Sequence, residues 1–352
     1  SDKLTLAEGP FYPKTSKSGG QRRSQFIRAN FDILDRYIIS AALRNDGTDK
    51  FFPGKKYALF PMVSLAWKIN NEGFMKNISW IDQLKLRASY GITGRDNLGS
   101  SLFGLYTPNS VYVSFDEASY IPFFQSSQDS PDVTWERAGM LDAAIDFSFL
   151  KSKIFGSFDW FRCDDTNLLS YEPESLMSQF SSHPVNGGHY VRTGFDFNLT
   201  ARPLQIKDIV WEITGNISRA KNYWIEREPN YQYKSYQQRR HEPLHPYYFY
   251  KMDGVVNLDR SNMPQSQKSL DPSWQMPGAT IIKDKNGDGV ITEDDIYVLE
   301  DSQPKLYGGI GTNFKWKGLE LDIFFYGRYG KQKWNTTVAS GNPIEAIKTN
   351  PK

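Results

Sequence analysis

The chain has 352 residues, of which 39% are apolar and 23% charged, and 42 Lys and Arg against 40 Asp and Glu leave a formal charge of +2. This composition excludes a disordered chain, and the near-neutral charge predicts no nucleic-acid partner because no basic field neutralises phosphates. No run of apolar residues is long enough for a membrane-spanning helix. The single cysteine, Cys163, excludes a disulfide scaffold. Aromatic residues make up 15% of the chain, which is typical of sheet-rich proteins, membrane β-barrels among them.

Apolar and polar residues alternate along much of the chain, whereas helical periodicity is scarce. In the first such stretch Ile27, Phe31 and Ile33 share one face, and Arg28 and Asp32 lie on the other. The pattern predicts roughly ten strands of about 9–12 residues, close to the ~9–11 that a tilted strand needs to cross a bilayer and longer than the usual ~5–6. The predicted strands include residues 27–33, 37–44, 63–69, 84–90, 141–149, 154–163, 195–201, 211–217, 308–316 and 319–325.

The face opposite the apolar one is rich in charge. A soluble β-sandwich turns such a face to water, whereas a barrel in lipid turns its apolar face outward and its polar face towards a wet lumen. Alternation by itself does not separate the two architectures. The charged residues of this face are Arg28, Asp32, Lys85, Arg87, Asp142, Asp146, Asp159, Asp196, Glu212, Glu320 and Asp322.

The connections between the predicted strands fall into two classes of length. The short ones lie at residues 34–36, 150–153, 203–208 and 317–318, with one of intermediate length at 70–83. The long polar ones cover residues 45–56, 93–138, 164–190 and 220–305. If the strands run up and down, all the short turns meet at one end of the sheet, an asymmetry that is typical of outer-membrane barrels. The predicted fold class is therefore all-β, an antiparallel transmembrane β-barrel.

Several stretches, in their order and spacing, resemble one known family. They are Arg44-Asn-Asp-Gly-Thr-Asp-Lys-Phe-Phe-Pro-Gly-Lys-Lys-Tyr57, residues 59–69, 74–77 and 84–94, Trp135-Glu136, and residues 247–254, 284–295, 304–308 and 317–321. Together they span most of residues 25–335, and in this respect the chain is similar to the SusC-like (RagA-like) TonB-dependent outer-membrane transporters.

The resemblance implies a 22-stranded barrel with an N-terminal plug inside it and a TonB-contacting segment before the plug. Neither segment is recognisable, so residues 1–352 are expected to be part of one transmembrane barrel domain, supplying roughly ten of the strands within a larger chain. The last strands are expected to lie outside it as well. An open sheet leaves unpaired edges that lipid does not satisfy.

The resemblance also implies a function and a set of partners. Such a protein imports a glycan or an oligopeptide across the outer membrane of a Gram-negative bacterium. A SusD-like surface lipoprotein would cover the barrel, TonB would act through the missing N-terminal part, and lipid would surround the strands. Residues 220–305 would form a long extracellular loop.

Residues 284–295 match a calcium-binding loop. Asp284, Asn286 and Asp288 stand at the first three ligand positions, Gly289 at the sharp turn, and the Val290 carbonyl and Thr292 at the next two. Asp295 occupies the last position, where a longer Glu is usual, which predicts a weaker site or a different geometry. The alternative is an acid-rich turn without metal. A bound Ca²⁺ is expected to brace the long loop rather than to perform chemistry.

The segment 231–250 combines aromatic, Gln and Arg side chains, which stack on planar groups or sugars and donate forked hydrogen bonds. The pattern predicts ligand contacts, with the alternative that these aromatics pack the loop against itself or form an interfacial girdle. The candidate ligand-binding residues are Tyr231, Tyr233, Tyr236, Arg239, Arg240 and Tyr247.

Two other functions remain open on the residues alone. One is a secreted or surface β-sandwich that binds carbohydrate through exposed aromatics. The other is a glycoside hydrolase that uses paired carboxylates such as Asp142 and Asp146. These two carboxylates lie on an alternating strand face, where a solvated surface is the ordinary explanation, and no nucleophile elbow or phosphate-binding loop is present. Catalysis is therefore not predicted.

Overall fold

The protein is described from a computed structural model that covers residues 19–97, 102–108, 113–115, 118–120, 123–175, 177–178, 180–237, 240–299 and 303–331. It is an all-β structure built on ten long strands. They are β1 (Arg22–Ile33), β2 (Tyr37–Thr48), β3 (Tyr57–Lys68), β4 (Ile81–Arg95), β5 (Glu136–Phe149), β6 (Ile154–Thr166), β7 (His189–Ile206), β8 (Ile209–Glu226), β9 (Leu306–Trp316) and β10 (Leu319–Tyr329).

These strands form one sheet in chain order, β1 to β10, and every neighbouring pair is antiparallel. Nine of them contain a predicted strand in full, and β3 contains all of the predicted 63–69 except Ile69, so the prediction of an antiparallel all-β fold with ten strands is confirmed. A single up-and-down sheet does not favour the two packed sheets of a sandwich. Most strands extend beyond the predicted segments, mainly at the long-loop end, where the backbone ladder continues past the predicted alternation.

The strand register aligns the apolar residues across the sheet. One row joins Phe31, Ile39, Leu65, Ala88, Ala143, Trp160 and Phe195. The adjacent row on the other face joins Asn30, Ser40, Ser64, Ser89 and Asp142. A slip of one residue in any pair would exchange the faces, so the alternation in sequence specifies the register. We call the two sides the apolar face and the polar face.

Short connections gather at one end of the sheet and long ones at the other, as predicted. The three-residue connection between β1 and β2 places Leu34 and Asp35 at φ values of 55° and 51°, and the Arg36 N–H donates to the Ile33 carbonyl at 3.0 Å. This left-handed geometry matches the twist of the flanking strands. Lys317, at φ 51°, and Gly318 form the corresponding turn between β9 and β10. The long connections are loop 2–3 (49–56), loop 4–5 (96–135), loop 6–7 (167–188) and loop 8–9 (227–305).

Loop 8–9 begins later than the sequence predicted, because β8 continues to Glu226. It has local structure of its own. Tyr247–Tyr250 pairs with Ile296–Leu299, and Met252–Val255 pairs with Thr280–Ile282. Helical structure in the described residues consists of short 3-10 turns, and none is a helix long and apolar enough to cross a membrane.

The main buried apolar cluster lies at the long-loop end, where loop residues pack on the end of β3. Phe51 of loop 2–3 contacts Trp135 with a ring-centroid distance of 5.4 Å, and Trp135 meets Phe60 of β3 at 5.8 Å. The Trp135 indole donates a hydrogen bond to the Lys56 carbonyl at 3.2 Å. Leu102 of loop 4–5 belongs to the same cluster. The loops therefore pack on one another and on the end of β3 around a shared core.

Candidate functional site

An ion network occupies the middle of the polar face. The Arg87 guanidinium donates to both carboxylate oxygens of Asp146 at 2.9 and 3.0 Å and to Asp159 at 2.7 Å. Lys85 lies 3.3 Å from Asp146. Asp146, which the sequence offered with Asp142 as one of a catalytic pair, is therefore held between two cations. This arrangement stabilises charge on a wet surface rather than preparing an acid for proton transfer.

A second network lies on the same face near the long-loop end. The carboxylate of Asp165 is 1% exposed and lies 3.1 Å from Arg95 and 3.0 Å from Arg192. The Arg192 guanidinium also lies 3.2 Å from the Cys163 sulfur. The buried Asp165 carboxylate of β6 thus links Arg95 of β4 to Arg192 of β7 at the long-loop end of these strands. Cys163 belongs to the same network through its contact with Arg192.

A cation–aromatic stack follows at the end of β8. The Tyr190 and Trp224 rings meet edge to face at 5.7 Å. The Arg227 guanidinium lies 4.4 Å from the Trp224 ring and 4.0 Å from the Tyr231 ring. Cation–π contacts of this kind favour a fixed guanidinium. The stack therefore holds the first turn of loop 8–9 against the polar face.

Glu242 lies buried behind this stack at 1% exposure. One of its oxygens accepts a short hydrogen bond from the Tyr248 hydroxyl, and the other lies 3.8 Å from Arg227. Burial and the neighbouring Glu242 raise the pKa of Tyr248, with Gln237 opposing the shift through its own hydrogen bond. Tyr248 therefore stays protonated and remains a donor to Glu242 throughout the physiological range.

A cavity of about 790 Å³ lies on the apolar face, and one of about 590 Å³ lies between loops 6–7 and 8–9. The first is lined mainly by Leu, Ile, Ala and aromatic side chains and continues the apolar face. We call the second the loop cavity. Its lining residues are Thr166, Asn167, Gly187, Gly188, His189, Glu226, Arg227, Glu228, Pro229, Asn230, Tyr231 and Tyr233.

Backbone geometry opens the loop cavity on the side of loop 6–7. Gly188 has φ of +84°, which a residue with a side chain rarely adopts. A Cβ atom there would lie 3.4 Å from both the Trp224 ring and the Leu168 side chain. A Cβ at that distance would make ordinary contact, so it is the positive φ that favours glycine at this position.

The structure brings together some of the predicted ligand-binding residues and separates others. Tyr231 and Tyr233 line the loop cavity with their rings 5.1 Å apart and nearly perpendicular. Tyr236 instead packs on Tyr248, and Tyr247 lies in the hairpin with Leu299. Arg240 is exposed outside the cavity lining. Arg239 lies outside the described residues.

The sequence analysis missed Trp224, Arg227, Glu228 and Glu242, which build the cavity wall and its support. It placed the first three inside an undifferentiated loop, and its ligand candidates began only at Tyr231. The available signal was the mixed segment Trp224-Ile-Glu-Arg-Glu228 directly after a strong strand. For the opposite wall of the loop cavity, formed by loop 6–7, the only signal in the sequence was the glycine pair Gly187-Gly188.

The calcium-like loop forms a compact turn in which carboxylates face inward. Asp284 accepts hydrogen bonds from the backbone N–H groups of Gly287 at 2.6 Å and Gly289 at 2.8 Å. The carboxyl of Asp295 is fully buried and within hydrogen-bonding reach of the Asp284 carboxyl. Burial opposes its ionisation, but backbone N–H groups, that of Thr292 foremost, lower its pKa overall.

The remaining candidate ligands of that turn lie on its rim. Asn286 accepts from the Asp288 amide at 3.1 Å, and Asp288 accepts from the Val290 amide at 2.8 Å. The Thr292 hydroxyl caps the following 3-10 turn. Within the part of the chain that the structure describes, no three His, Cys, Asp or Glu side chains converge as a metal would require. An ion would have to draw on the Asn286 amide and backbone oxygens as well.

Aromatic residues border the apolar face at its short-turn end. Tyr37 and Trp67 stack at 6.4 Å, and both polar tips donate to the same Glu72 oxygen, at 2.7 Å from the hydroxyl and 3.0 Å from the indole. Trp80 packs on Phe149 at 5.5 Å in the same region. Rings on the apolar side with polar tips at the edge are typical of a membrane–water boundary.

Comparison with known families assigns the chain. The family model of the TonB dependent receptor-like β-barrel matches residues 4–347. The chain belongs to the TonB-dependent receptor family. Its ten-stranded sheet is accordingly a portion of the TonB-dependent barrel fold, and the SusC-like resemblance noted in the sequence is confirmed.

Curated members of the TonB-dependent receptor family align along most of this chain. TonB-dependent receptor P3 of Formosa agariphila is 27% identical over 327 residues, which cover 90% of this chain and 32% of that receptor. The TonB-dependent receptor SusC of Bacteroides thetaiotaomicron is 25% identical over 305 residues, 85% of this chain and 30% of SusC. The chain thus spans about a third of the length of the curated relatives it matches.

Solved structures of the family share the fold. The RagAB peptide importer in its open-open state superposes with a TM-score of 0.72 at 21% identity, over 94% of this chain and 36% of that one. The closed-closed state gives a TM-score of 0.69 at 20% identity, over 88% and 33%. At this identity the likeness establishes the TonB-dependent barrel architecture alone.

Proposed function

We propose that this chain forms part of the wall of an outer-membrane importer in a Gram-negative bacterium. The observation that carries the proposal is the two-sidedness of the sheet: lipid would contact the apolar face, and the polar face with its Arg87 and Asp165 networks would line the channel. All of residues 1–352 would belong to one barrel domain. The long loops would lie at the cell surface and the short turns in the periplasm.

The cargo proposed for the whole protein is a glycan or an oligopeptide. SusC is among the curated relatives, and the structural neighbour RagAB is described as a peptide importer. A SusD-like lipoprotein would cover the long-loop end, and TonB would act on a segment N-terminal to this barrel portion. The curated relatives are TonB-dependent receptors and not enzymes, which supports transport rather than turnover.

The test is made on the full-length protein in its native outer-membrane fraction. We expect a detergent-extracted band whose gel mobility shifts on boiling, together with a co-purifying lipoprotein and uptake that stops when TonB is deleted. A species that is soluble without detergent and indifferent to boiling would refute the proposal and favour the carbohydrate-binding sandwich.

Sidedness is tested by labelling single introduced cysteines on intact cells with a membrane-impermeant maleimide. Asp49→Cys in loop 2–3 should react, and Lys317→Cys in the β9–β10 turn should react only after the cells are broken. The native Cys163 is buried and provides a low background. Equal reaction at both positions would contradict the orientation proposed here.

We further propose that residues 284–295 bind one Ca²⁺, which braces loop 8–9. The supporting observation is the backbone geometry of the turn, in which N–H groups orient both end carboxyls: those of Gly287 and Gly289 donate to Asp284, and those of Lys285 and Thr292 donate to Asp295. Asp288, the Asn286 amide and the Val290 carbonyl would supply further oxygens, and Thr292 would stand at the ninth position.

The calcium proposal is tested on the full-length protein by limited proteolysis in Ca²⁺ and in EGTA. We expect Ca²⁺ to protect loop 8–9, Mg²⁺ to protect it less, and Asp284→Asn to abolish the difference. Asp271→Asn removes an acid of the same loop outside the motif and should leave the protection intact. Identical cleavage in Ca²⁺ and EGTA would overturn the site.

A further inference from the structure

Four buried polar atoms without a hydrogen-bond partner are concentrated where β8 enters loop 8–9. They are Trp224 Nε1, Arg227 Nε, Glu228 Oε2 and Glu242 Oε2. Buried polar atoms are nearly always hydrogen-bonded, because leaving one unsatisfied destabilises the folded state. Two of these side chains, Arg227 and Glu228, line the loop cavity. Arg227 Nε and Glu228 Oε2 lie 3.4 Å apart, and Glu242 Oε2 lies 3.8 Å from the Arg227 guanidinium, so these charges compensate one another at distances longer than an ordinary hydrogen bond. The Glu228 carboxylate therefore keeps hydrogen-bonding capacity that a ligand in the loop cavity can use.

The size and lining of the loop cavity define what fits. Its volume of about 590 Å³ lies within the ~300–1,000 Å³ of small-molecule sites. Apart from Pro229, its walls are glycine, tyrosine and hydrogen-bonding side chains, with no aliphatic residue among the lining positions. The apolar part of the lining therefore comes from Pro229 and the rings of Tyr231 and Tyr233. A ligand that fits combines many hydrogen-bonding groups with a face that packs on an aromatic ring.

The charge distribution excludes an acidic ligand. Glu226 and Glu228 both line the cavity, and among its lining residues Arg227 is the only lysine or arginine. The Arg227 guanidinium is covered by two aromatic rings and already lies 3.4 Å from Glu228 and 3.8 Å from Glu242. Its charge is therefore neutralised internally. The cavity presents carboxylate acceptors, which would repel a uronic acid, a sulfate or a peptide carboxylate.

A neutral sugar ring satisfies both requirements. Its hydroxyls donate hydrogen bonds to carboxylate oxygens, and bonds to an ionised acceptor are the strong ones. Its C–H groups are weakly positive and pack against the negative face of an aromatic ring. Tyr231 and Tyr233 form a perpendicular corner in the cavity wall. The Asn167 side chain adds an amide donor and acceptor, and Asn230, whose amide nitrogen donates to Glu172, adds an acceptor.

We propose that the loop cavity is a subsite for a neutral sugar unit of a transported glycan, with Glu228 and Glu226 accepting from hydroxyls and the Tyr231–Tyr233 corner packing on the ring. This inference rests on the proposed transport function and selects a glycan over a peptide as cargo. The site lies where the polar face meets the long loops, so cargo would reach it before entering the channel.

The experiment measures binding to the full-length transporter, purified in detergent with its lipoprotein partner. The probes are arrays of neutral oligosaccharides, of uronic and sulfated oligosaccharides, and of oligopeptides. We expect binding to neutral oligosaccharides, weakened about tenfold or more by Glu228→Gln, the loss of one charge-assisted hydrogen bond, and also by Tyr233→Leu. Glu174→Gln makes the same change in loop 6–7 outside the cavity, where Glu174 pairs with His183, and should leave affinity unchanged.

Several results would contradict the proposed sugar subsite. Binding of peptides or acidic glycans only, or no change in neutral-glycan affinity in Glu228→Gln and Tyr233→Leu, overturns the subsite while leaving the transporter proposal intact. Binding to none of the three arrays overturns it as well. A gel shift on boiling shows that each variant has folded. Loss of that shift or of TonB-dependent uptake in the unaltered protein would instead signal failure of the proposed function itself.

Discussion

The sheet and the long-loop end treat apolar side chains in opposite ways. In the sheet, large residues such as Leu65 and Phe325 are 52% and 68% exposed, whereas in the loops Phe51 and Leu102 are 0% and 1% exposed. Loops of water-soluble surfaces bury such residues, and strands expose a continuous apolar face only where another apolar phase covers it. This contrast is the one expected of a chain whose strands face lipid and whose loops face water.

The largest effect should come from emptying the loop core. Trp135→Ala removes the ring that contacts both Phe51 and Phe60, and deleting a buried Trp costs about 3–5 kcal/mol. We expect loops 2–3 and 4–5 of the full-length protein to become protease-sensitive. Trp160→Ala on the apolar face is the control and should leave the loops resistant. Equal sensitivity in both variants would erase the distinction between the two regions.

A charge placed on each face should separate lipid from lumen. Ala88 and Ser89 are adjacent residues on the apolar and polar faces of β4. Ala88→Arg should destabilise the protein in bilayers by about 2–4 kcal/mol, the cost of Arg near the membrane midplane, and Ser89→Arg should cost far less. Urea titration in liposomes measures both. The reverse order would mean that the faces are assigned the wrong way round.

Removing the Asp165 carboxylate, which lies where the sheet meets the long loops, should lower the free energy of unfolding by an intermediate amount. Asp165→Asn leaves Arg95 and Arg192 without their shared partner, and because both guanidiniums are partly exposed we expect a loss of about 1–2 kcal/mol. Asp46→Asn, which breaks the pair with Arg44 on β2, is the control at about 0.5 kcal/mol or less. Denaturant unfolding compares them.

The smallest effect is a pH response at the short-turn end. Hydrogen bonds from Tyr37 and then Trp67 lower the pKa of Glu72 below its usual 4.5. Their stabilising contribution is therefore complete above pH 4.5 and is lost as the pH falls through the depressed pKa. Hydrogen exchange in the turns Ile69–Asn71 and Gly73–Met75 should accelerate on that acidification. Glu72→Gln should remove the pH dependence, and a response that persists in this variant would assign it to another group.

The sequence predicted the sheet well and the candidate site only in part. Alternation with period two is a local property, so residues such as Leu84, Leu86 and Ala88 reveal their strand and its faces without any knowledge of neighbours. The ligand candidates fared differently. Tyr231 and Tyr233 reach the loop cavity, whereas Tyr236 and Tyr247 pack within the loop, because identical side chains in one segment are sorted by contacts with residues far along the chain.

The turns show the same division. Lys317-Gly318 is recognisable as a turn from its glycine, whereas the short connection at 34–36 has none and Leu34 gives no local signal for the left-handed backbone that it adopts together with Asp35. That conformation is imposed by the register of β1 on β2, and Asp35 is then held by a hydrogen bond from Asn71 to its carbonyl at 2.6 Å. Pairing energy along a twelve-residue strand exceeds the local cost of the strained turn.

By itself the sequence determined the ten strands, the two faces of the sheet and the sorting of short and long connections. Each of these follows from the alternation of apolar and polar side chains and from the lengths of the connections, which depend only on residues near one another in the sequence. Only the tertiary structure decided that Asp165 joins Arg95 and Arg192, that Arg227 lies between Trp224 and Tyr231, and that Gly188 opens a cavity opposite Glu228. Those contacts join residues of different loops and strands, and their positions depend on how the strands align and how the loops fold back over the sheet.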